Sequence, residues 1–175
     1  MHPATLHPAD RIRVQTEAFD IGAEHARIAA LGHGTGAIAS FTGLMRAHNE
    51  GDAVTAMTLE HYPGMTESAL EEIVTDARKR WALEAVTVVH RVGRLAPGDP
   101  IVLVLTASAH RGEAFAACEF IMDYLKTQAP FWKKEETPAG SRWVEARASD
   151  DAAAARWDAD ARGSGDTPDT SEGAR

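Results

Sequence analysis

A group of basic residues stands out in a chain whose formal net charge is −8. Within residues 108–136, a His110-Arg111 pair precedes about four turns of predicted helix. Lys126 ends this helix, and a Pro-Phe-Trp-Lys-Lys-Glu run that includes Lys133 comes next. Cations gathered beside aromatic residues in an acidic chain favour an anionic ligand over a general basic coat. We therefore predict that residues 108–136 form one wall of an active site that binds an anion.

The predicted positions of these cations distinguish them from solvated surface charges, which is what each would be on its own. Arg46 ends a predicted strand, and His110 and Arg111 open a helix directly after another strand. Strand ends and helix starts are where functional residues usually collect, and the free backbone N–H groups of a helix start bind anions. We therefore include Arg46, His110 and Arg111 in the predicted site.

The segment after Lys126 is predicted to be extended, so its side chains alternate between two faces. Lys133 and Glu135 share one face, and Trp132 and Lys134 share the other. We expect Lys133 and Glu135 to point into a pocket, while Trp132 packs against the rest of the protein.

Other kinds of catalytic chemistry have no support in the sequence. The single cysteine, Cys118, lies on the apolar stripe of its predicted helix, so we expect it to be buried and inert. One cysteine also excludes an intrachain disulfide and a cysteine-based zinc cluster. No nucleophilic triad is apparent and no histidines have metal-ligand spacing, so we assign neither a metal nor a cofactor.

The composition is that of an ordinary soluble globular protein, with 175 residues of which 44% are hydrophobic and 25% charged. No run approaches the ~18 apolar residues that span a bilayer, and the polar N-terminus has no apolar signal core. We therefore expect a cytoplasmic protein. Its acidic balance argues against binding to nucleic acid or to an anionic membrane.

The predicted elements follow the order β-α-β-β-α-β-β-α-β-β. Helices interspersed with hairpins favour an α+β domain with a mostly antiparallel sheet and three main helices over a doubly wound parallel sheet. The strands at 37–46 and 54–62 are predicted to form an antiparallel hairpin around a polar turn. Asp20, Thr66 and Ser108 are predicted to cap the three helices.

Changes in composition divide the chain into three parts. Residues 1–10 are predicted to be a flexible tail, residues 11–148 the folded domain, and residues 149–175 an acidic and largely disordered C-terminal tail. Within that tail, residues 150–157 are predicted to form a short helix that docks through Trp157.

A series of short motifs runs from about Ile12 to Arg147. They are Phe41-Thr42-Gly43-Leu44-Met45-Arg46, Leu59-Glu60-His61-Tyr62, His90-Arg91-Val92-Gly93, His110-Arg111-Gly112-Glu113-Ala114-Phe115, Lys126 and Pro130-Phe131-Trp132-Lys133-Lys134-Glu135. Taken in this order, they resemble the large, catalytic subunit of molybdopterin synthase, the MoaE family. Each motif alone would be weak evidence, whereas the ordered series is specific.

The resemblance implies an α/β-hammerhead fold and a homodimer of large subunits. It also implies a small ubiquitin-like sulfur-carrier partner, whose C-terminal Gly-Gly carries a thiocarboxylate, and hence a heterotetramer. The implied reaction transfers two sulfurs to cyclic pyranopterin monophosphate (precursor Z). Its product is the dithiolene of molybdopterin, a step of molybdenum cofactor biosynthesis.

Carried over position by position, the resemblance implies catalytic roles for Lys126 and Lys133. It implies substrate-binding roles for Arg46, His110, Arg111, Lys134, Glu135 and Arg147. In the family, the His-Arg pair often reaches the site of the neighbouring subunit. Because the sulfur arrives on the partner, such a chain needs no reactive cysteine; it needs cations for the phosphate and the partner's carboxylate, and a proton carrier.

Two alternatives stay open. The chain could be a non-catalytic dimeric module that holds a phosphorylated pterin or nucleotide. It could also be a purely structural dimer, which would leave the clustered lysines and arginines unexplained.

Overall fold

The computed structural model describes residues 6–145 and 147–163 of the chain. The strands in this part are β1 (Arg11–Gln15), β2 (Ala37–Leu44), β3 (His48–Asn49), β4 (Asp52–Ala53), β5 (Ala56–His61), β6 (Leu83–Arg91), β7 (Gly93–Leu95), β8 (Pro100–Ser108), β9 (Phe131–Thr137) and β10 (Gly140–Val144). The helices are α1 (Ile21–Ala29), α2 (Met65–Arg80), α3 (Arg111–Gln128) and α4 (Ala148–Gly163). The α+β class is confirmed, with a fourth helix beyond the three main ones expected.

The first sheet has the strand order β1-β6-β8-β2 and lies between helices. β1 runs parallel to β6, and the other neighbours are antiparallel. On one face, Val86 and Val104 belong to the same apolar cluster as residues of α2 and α3. On the other face, Leu103 clusters with Ile28 of α1. Burial on both faces explains why β6 and β8 are nearly continuous apolar runs.

The second sheet has the order β10-β9-β5-β7 and is antiparallel throughout. Its smaller core contains Met45, Val54, Met57, Leu59 and Leu95. This sheet carries the predicted site strand β9 between β10 and β5. No helix in the described residues is long and apolar enough to cross a membrane.

The predicted hairpin between residues 37–46 and 54–62 is wrong. β2 pairs with β8 in the first sheet, and β5 pairs with β7 and β9 in the second. Between them lies the two-residue hairpin β3–β4, which turns at Glu50 and Gly51 with positive φ angles of 54° and 88°. The chain changes sheets here because Met45, directly after β2, is buried in the core of the second sheet.

The predicted cap of the first helix is confirmed, and the cap of the second is wrong. Asp20 accepts a hydrogen bond from the backbone N–H of Ala23 at 2.9 Å. For α2 the N-cap is Gly64. Thr66 lies inside the helix, where its buried hydroxyl donates to the carbonyl of Pro130 at 3.2 Å. This contact ties α2 to the chain just before β9.

The predicted cap of the third helix is also wrong. Ser108 is the last residue of β8, and its hydroxyl contacts the carbonyl of Ala82 at 2.9 Å and the carboxylate of Glu113 at 2.7 Å. The N-cap of α3 is His110, whose side chain makes no capping hydrogen bond. The hydroxyl of Ser108 is therefore occupied by neighbouring contacts instead of by the helix start.

Asp10, expected to end a flexible tail, is instead anchored. Its side chain is fully buried, and its two oxygens accept hydrogen bonds from Arg78 at 2.6 and 2.7 Å and from the backbone N–H of Val86 at 2.8 Å. The chain is thus held to α2 and β6 before β1 begins. Residues 1–5 of the predicted tail lie outside the described residues.

The predicted helix that docks through Trp157 is confirmed, and it continues to Gly163. The Trp157 ring lies edge-on to the rings of Trp81 and Phe120, at 5.7 and 5.5 Å between centroids. Its Nε1 donates to Asp123 of α3 at 2.8 Å. Residues 164–175 of the predicted tail lie outside the described residues.

Candidate active site

A cleft of about 500 Å³ opens where the end of β2, the end of α3 and strand β9 meet. Four of the predicted site cations line it: Arg46, Lys126, Lys133 and Arg147. The rest of its wall is largely apolar and includes Phe41, Met57, Leu59, Met122, Leu125 and Phe131. Small-molecule sites commonly combine an apolar lining with a few convergent polar groups.

The turn between α3 and β9 brings the two lysines into one cleft. Lys126 occupies the last turn of α3, where the helix dipole favours a cation. The helix ends at Gln128 and Ala129 adopts an extended conformation, because Pro130 disfavours helical geometry in the residue before it. The chain then reverses, so that Lys133 faces the same space as Lys126.

Lys133 has a perturbed environment. Its side chain is 34% exposed, and its Nζ lies 3.8 Å from Oε1 of Glu135. Burial lowers the pKa of Lys133, and Glu135 opposes this effect. The charges of Lys126, Arg147 and Arg46 lower it further. A lysine with a lowered pKa loses its proton more readily, which suits a group that carries protons.

Glu135 shares the face of Lys133 but is only 3% exposed. Its carboxylate accepts a hydrogen bond from Nδ2 of Asn49 at 2.9 Å, and Arg142 approaches it at 3.4 Å. It also lies beside Lys133. Glu135 therefore contacts protein groups on several sides and acts on the cleft through Lys133.

The opposite face of β9 points away from the cleft. Lys134 lies over the ring of Trp143 at 5.7 Å from its centroid, an arrangement that favours a cation–π contact. Trp132 is 49% exposed, so the expectation that it packs is wrong. The alternation along β9 thus separates Lys134 from Lys133.

Asn49 is a site residue that the sequence marked only as part of a turn. It is 6% exposed, and its Oδ1 accepts a hydrogen bond from Arg147 at 2.5 Å. It also lines a second cleft of about 730 Å³, together with Arg46, Arg142 and Arg147. The two clefts share Arg46 and Arg147, so they form a continuous and mainly basic surface, whose lining also includes the acids Glu50, Glu145 and Asp150.

His90 also lines the cleft, and its motif carried no assigned role in the sequence. The ring is 5% exposed and stacks on Phe131 at 3.8 Å between centroids. Burial lowers the pKa of His90 to about 4, so the imidazole is neutral near pH 7. Nδ1 lies 2.8 Å from the carbonyl oxygen of Arg91. Since a carbonyl can only accept, Nδ1 donates and Nε2 is left as an acceptor.

His110 and Arg111 lie elsewhere in the chain. They line a separate pocket of about 440 Å³ with Gly36, Ala37, Ala109 and Gly112. Along α3, Arg111 is about 22 Å from Lys126 at the usual rise per residue. One chain therefore does not bring the His-Arg pair to the lysine cleft.

Cys118 is buried, as predicted. Burial raises the pKa of its thiol to about 11, so the reactive thiolate is scarce near neutral pH. Cys118 is therefore poorly suited to act as a nucleophile near neutral pH.

The fold and the cleft define a class: an α+β protein with a cationic, partly apolar cleft. A family model described as MoaE protein matches residues 14–128. The molybdopterin synthase catalytic subunit of Yersinia pestis is 60% identical over 147 residues, which are 84% of this chain and 97% of that protein. The chain belongs to the MoaE family.

Solved structures agree with this assignment. The molybdopterin biosynthesis MoaE protein from Burkholderia ambifaria MC40-6 is 58% identical with a TM-score of 0.74, over 85% of this chain and 98% of that one. A complex of subunits 1 and 2 of the molybdopterin-converting factor from Helicobacter pylori 26695 has a TM-score of 0.65 over 78% of this chain and 91% of that one. At 18% identity, this second likeness concerns the fold alone. The family resemblance and the expected enzyme class, molybdopterin synthase, are confirmed.

Proposed function

We propose that this chain is the catalytic subunit that transfers sulfur from a thiocarboxylated partner to cyclic pyranopterin monophosphate, in the cytoplasm. The observation that carries the proposal is the convergence of Lys126, Lys133, Arg46 and Arg147 on one cleft. The substrate class follows from the family, and the charge of the cleft supports it. Arginines form strong charge-assisted hydrogen bonds to phosphate oxygens, which suits Arg46 and Arg147 to the cyclic phosphate.

The two lysines suit different tasks. Among the described residues, the ammonium of Lys126 has no hydrogen-bond or ion-pair partner, so it is available to negative charge that develops on the thiocarboxylate adduct. Lys133 has a lowered pKa and a carboxylate beside it, which suits proton transfer to and from the opening ring. We assign charge stabilisation to Lys126 and proton transfer to Lys133.

Each transfer balances without a redox partner. The thiocarboxylate sulfur forms a bond to a substrate carbon while a carbon–oxygen bond at that carbon breaks, and the oxygen leaves with the phosphate as the ring opens or, in the other transfer, as water. Water then cleaves the bond between that sulfur and the partner's acyl carbon. The sulfur stays on the pterin and the partner leaves as a carboxylate. Two such transfers make the dithiolene. Apolar residues such as Met57, Leu59 and Phe131 offer a lining for a Gly-Gly tail that enters the cleft.

The outer edge of β2 supports a homodimer. β2 is the terminal strand of the first sheet, and within the described residues its outer edge pairs with no other strand. Phe41 and Leu44 on this strand are 41% and 54% exposed. An unpaired edge with exposed apolar side chains is a template for pairing with another chain. We infer that a second copy pairs here through its own β2.

Such a dimer would join the two parts of the predicted site. Ala37, at the start of β2, lies in the same pocket as His110 and Arg111. Leu44, at the end of β2, borders the cleft of Lys126. Antiparallel pairing of β2 with its copy would align the start of one strand with the end of the other. The His-Arg pair of each copy would then approach the cleft of its neighbour.

The test is a reconstituted reaction with purified thiocarboxylated partner and cyclic pyranopterin monophosphate. The wild-type chain should form the dithiolene, and Lys126→Ala should abolish its formation while the chain stays folded. Lys79→Ala is the matched control, because Lys79 is an exposed lysine of α2 paired only with Asp76. If the wild-type chain bound the pterin but transferred no sulfur, the non-catalytic binding module would be the correct function.

A further inference from the structure

Asn49 uses both ends of its side-chain amide within the basic surface. Nδ2 donates to Oε1 of Glu135 at 2.9 Å, and Oδ1 accepts from Nη2 of Arg147 at 2.5 Å. The residue is 6% exposed, so water competes little for either bond. Its backbone carbonyl lies 3.5 Å from Nη2 of Arg142. Three charged residues from three different segments therefore meet on this one residue.

Each end of the amide is connected to a cation of the cleft, one through Glu135 and one directly. On one side, Glu135 lies 3.8 Å from Nζ of Lys133. On the other side, the amide contacts Arg147 directly. A side-chain amide can donate to a carboxylate through its NH2 group and accept from a guanidinium through its oxygen at the same time. An aspartate in its place would repel Glu135, and an apolar residue would leave both partners without their bond.

We propose that Asn49 is a positioning residue for sulfur transfer. Its amide holds the carboxylate of Glu135 beside Lys133, and it also holds the guanidinium of Arg147 at the rim of the cleft. The inference rests on the proposed function, because it concerns how that site is arranged. Asn49 acts through Glu135 and Arg147 and does not need to touch the substrate. Its place on the short hairpin β3–β4 explains the role of that hairpin, which belongs to neither large sheet.

The effect of Asn49 on Lys133 depends on the other charges nearby. The charged groups around this network are Lys126 from α3, Arg46 after β2, Arg147 before α4, Glu135 on β9, Arg142 on β10 and Asp52 on β4, together with the acids Glu50, Glu145 and Asp150 that line the two clefts. Asp52 is paired with Nη1 of Arg142 at 2.7 Å, whereas Glu135 lies 3.4 Å from Nη2 of the same guanidinium. A new negative charge at position 49 would lie next to Glu135 and thus favour the protonated form of Lys133.

The experiment compares Asn49→Asp with the wild-type chain in the reconstituted reaction, over a range of pH. We expect kcat/KM to fall about tenfold, as for a lost buried hydrogen bond to a charged group. In the pH profile of kcat/KM, we also expect the limb that depends on the protonation of Lys133 to move to higher pH. Ser141→Asp is the matched control, because Ser141 is exposed and its side chain lies on the face of β10 opposite Arg142.

Asn49→Ala serves as the second variant. It removes both hydrogen bonds without adding a charge, so we expect the same loss in kcat/KM without the alkaline shift. A wild-type kcat/KM and an unshifted pH profile of kcat/KM in Asn49→Asp would overturn the proposal. Failure of both variants to fold would also overturn it, because Asn49 would then be a structural residue only. A wild-type chain that transfers no sulfur would instead refute the proposed function.

Discussion

The carboxylate of Glu135 lies 3.8 Å from the ammonium of Lys133, two positions away on the same face of β9. The two side chains differ in exposure, at 4% for Glu135 and 34% for Lys133. The anion raises the pKa of Lys133 against the larger effect of burial, which lowers it. Glu135 thereby controls how readily this lysine loses its proton.

Glu135→Gln should shift the pH dependence of sulfur transfer. Without the anion, the pKa of Lys133 falls further, because burial and the neighbouring cations then act unopposed. We expect the limb that Lys133 sets in the pH profile of sulfur transfer to move to lower pH. Initial rates of dithiolene formation over a range of pH measure this shift. Glu136→Gln is the control, since Glu136 is paired with Arg94 at 3.1 Å on the other face of β9. An equal shift in both variants would refute this role of Glu135.

Mixed dimers test whether Arg111 acts in the cleft of the neighbouring copy. Lys126→Ala and Arg111→Ala should each be inactive alone. If the His-Arg pair works across the dimer, a mixed dimer of the two variants has one intact site of its two. With random pairing about half of the dimers are mixed, so mixing should restore roughly a quarter of the wild-type activity. If Arg111 acts within its own chain, no site is intact and mixing should restore nothing.

Arg46→Ala should weaken substrate binding. Losing a charge-assisted hydrogen bond to phosphate costs about 1.5–3 kcal/mol, which corresponds to a rise in KM of roughly tenfold to a hundredfold. The effect should fall mainly on KM, because the role proposed for Arg46 is to bind the phosphate and not the reacting carbon. Arg94→Ala is the control, since Arg94 is exposed and paired with Glu136 away from the cleft. An unchanged KM in Arg46→Ala would remove Arg46 from the phosphate site.

Asp10→Ala should destabilise the fold. The Asp10 side chain is fully buried, so its removal takes the carboxylate from Arg78, which keeps only its bond to the carbonyl of Leu83, and leaves the backbone N–H of Val86 without its acceptor. Breaking a buried ion pair on one side typically costs about 3–5 kcal/mol. Urea unfolding followed by circular dichroism measures the loss. Asp76→Ala removes an exposed carboxylate from an i,i+3 pair and should change the unfolding midpoint little.

Local patterns in the sequence predicted much of the site. The Ala129-Pro130 pair ends α3, and the two-residue period of the following strand puts Lys133 and Glu135 on one face. Both features depend only on neighbours in the chain, which is why they were predictable. Trp157 was also identified as the residue through which the C-terminal helix docks. The ordered motifs further indicated the family and hence the reaction.

Strand pairing could not be predicted in this way. β2 and β5 are close in sequence and both alternate, yet they belong to different sheets because Met45 enters the second core between them. Asn49 looked like a turn residue because its role depends on Glu135 and Arg147, which are far away in sequence. The same holds for His90, whose neutrality follows from burial against Phe131.

By itself, then, the sequence determined the α+β class, the residue types of the site and the family to which the chain belongs. Only the tertiary structure decided which of these residues meet. It joined Lys126 and Lys133 in one cleft and put Arg111 at the far end of α3. The physical reason is that periodicity and capping depend on neighbouring residues, so they can be recognised in the sequence. A shared cleft depends on contacts between segments that are far apart in the chain, and the sequence has no comparable pattern for such contacts.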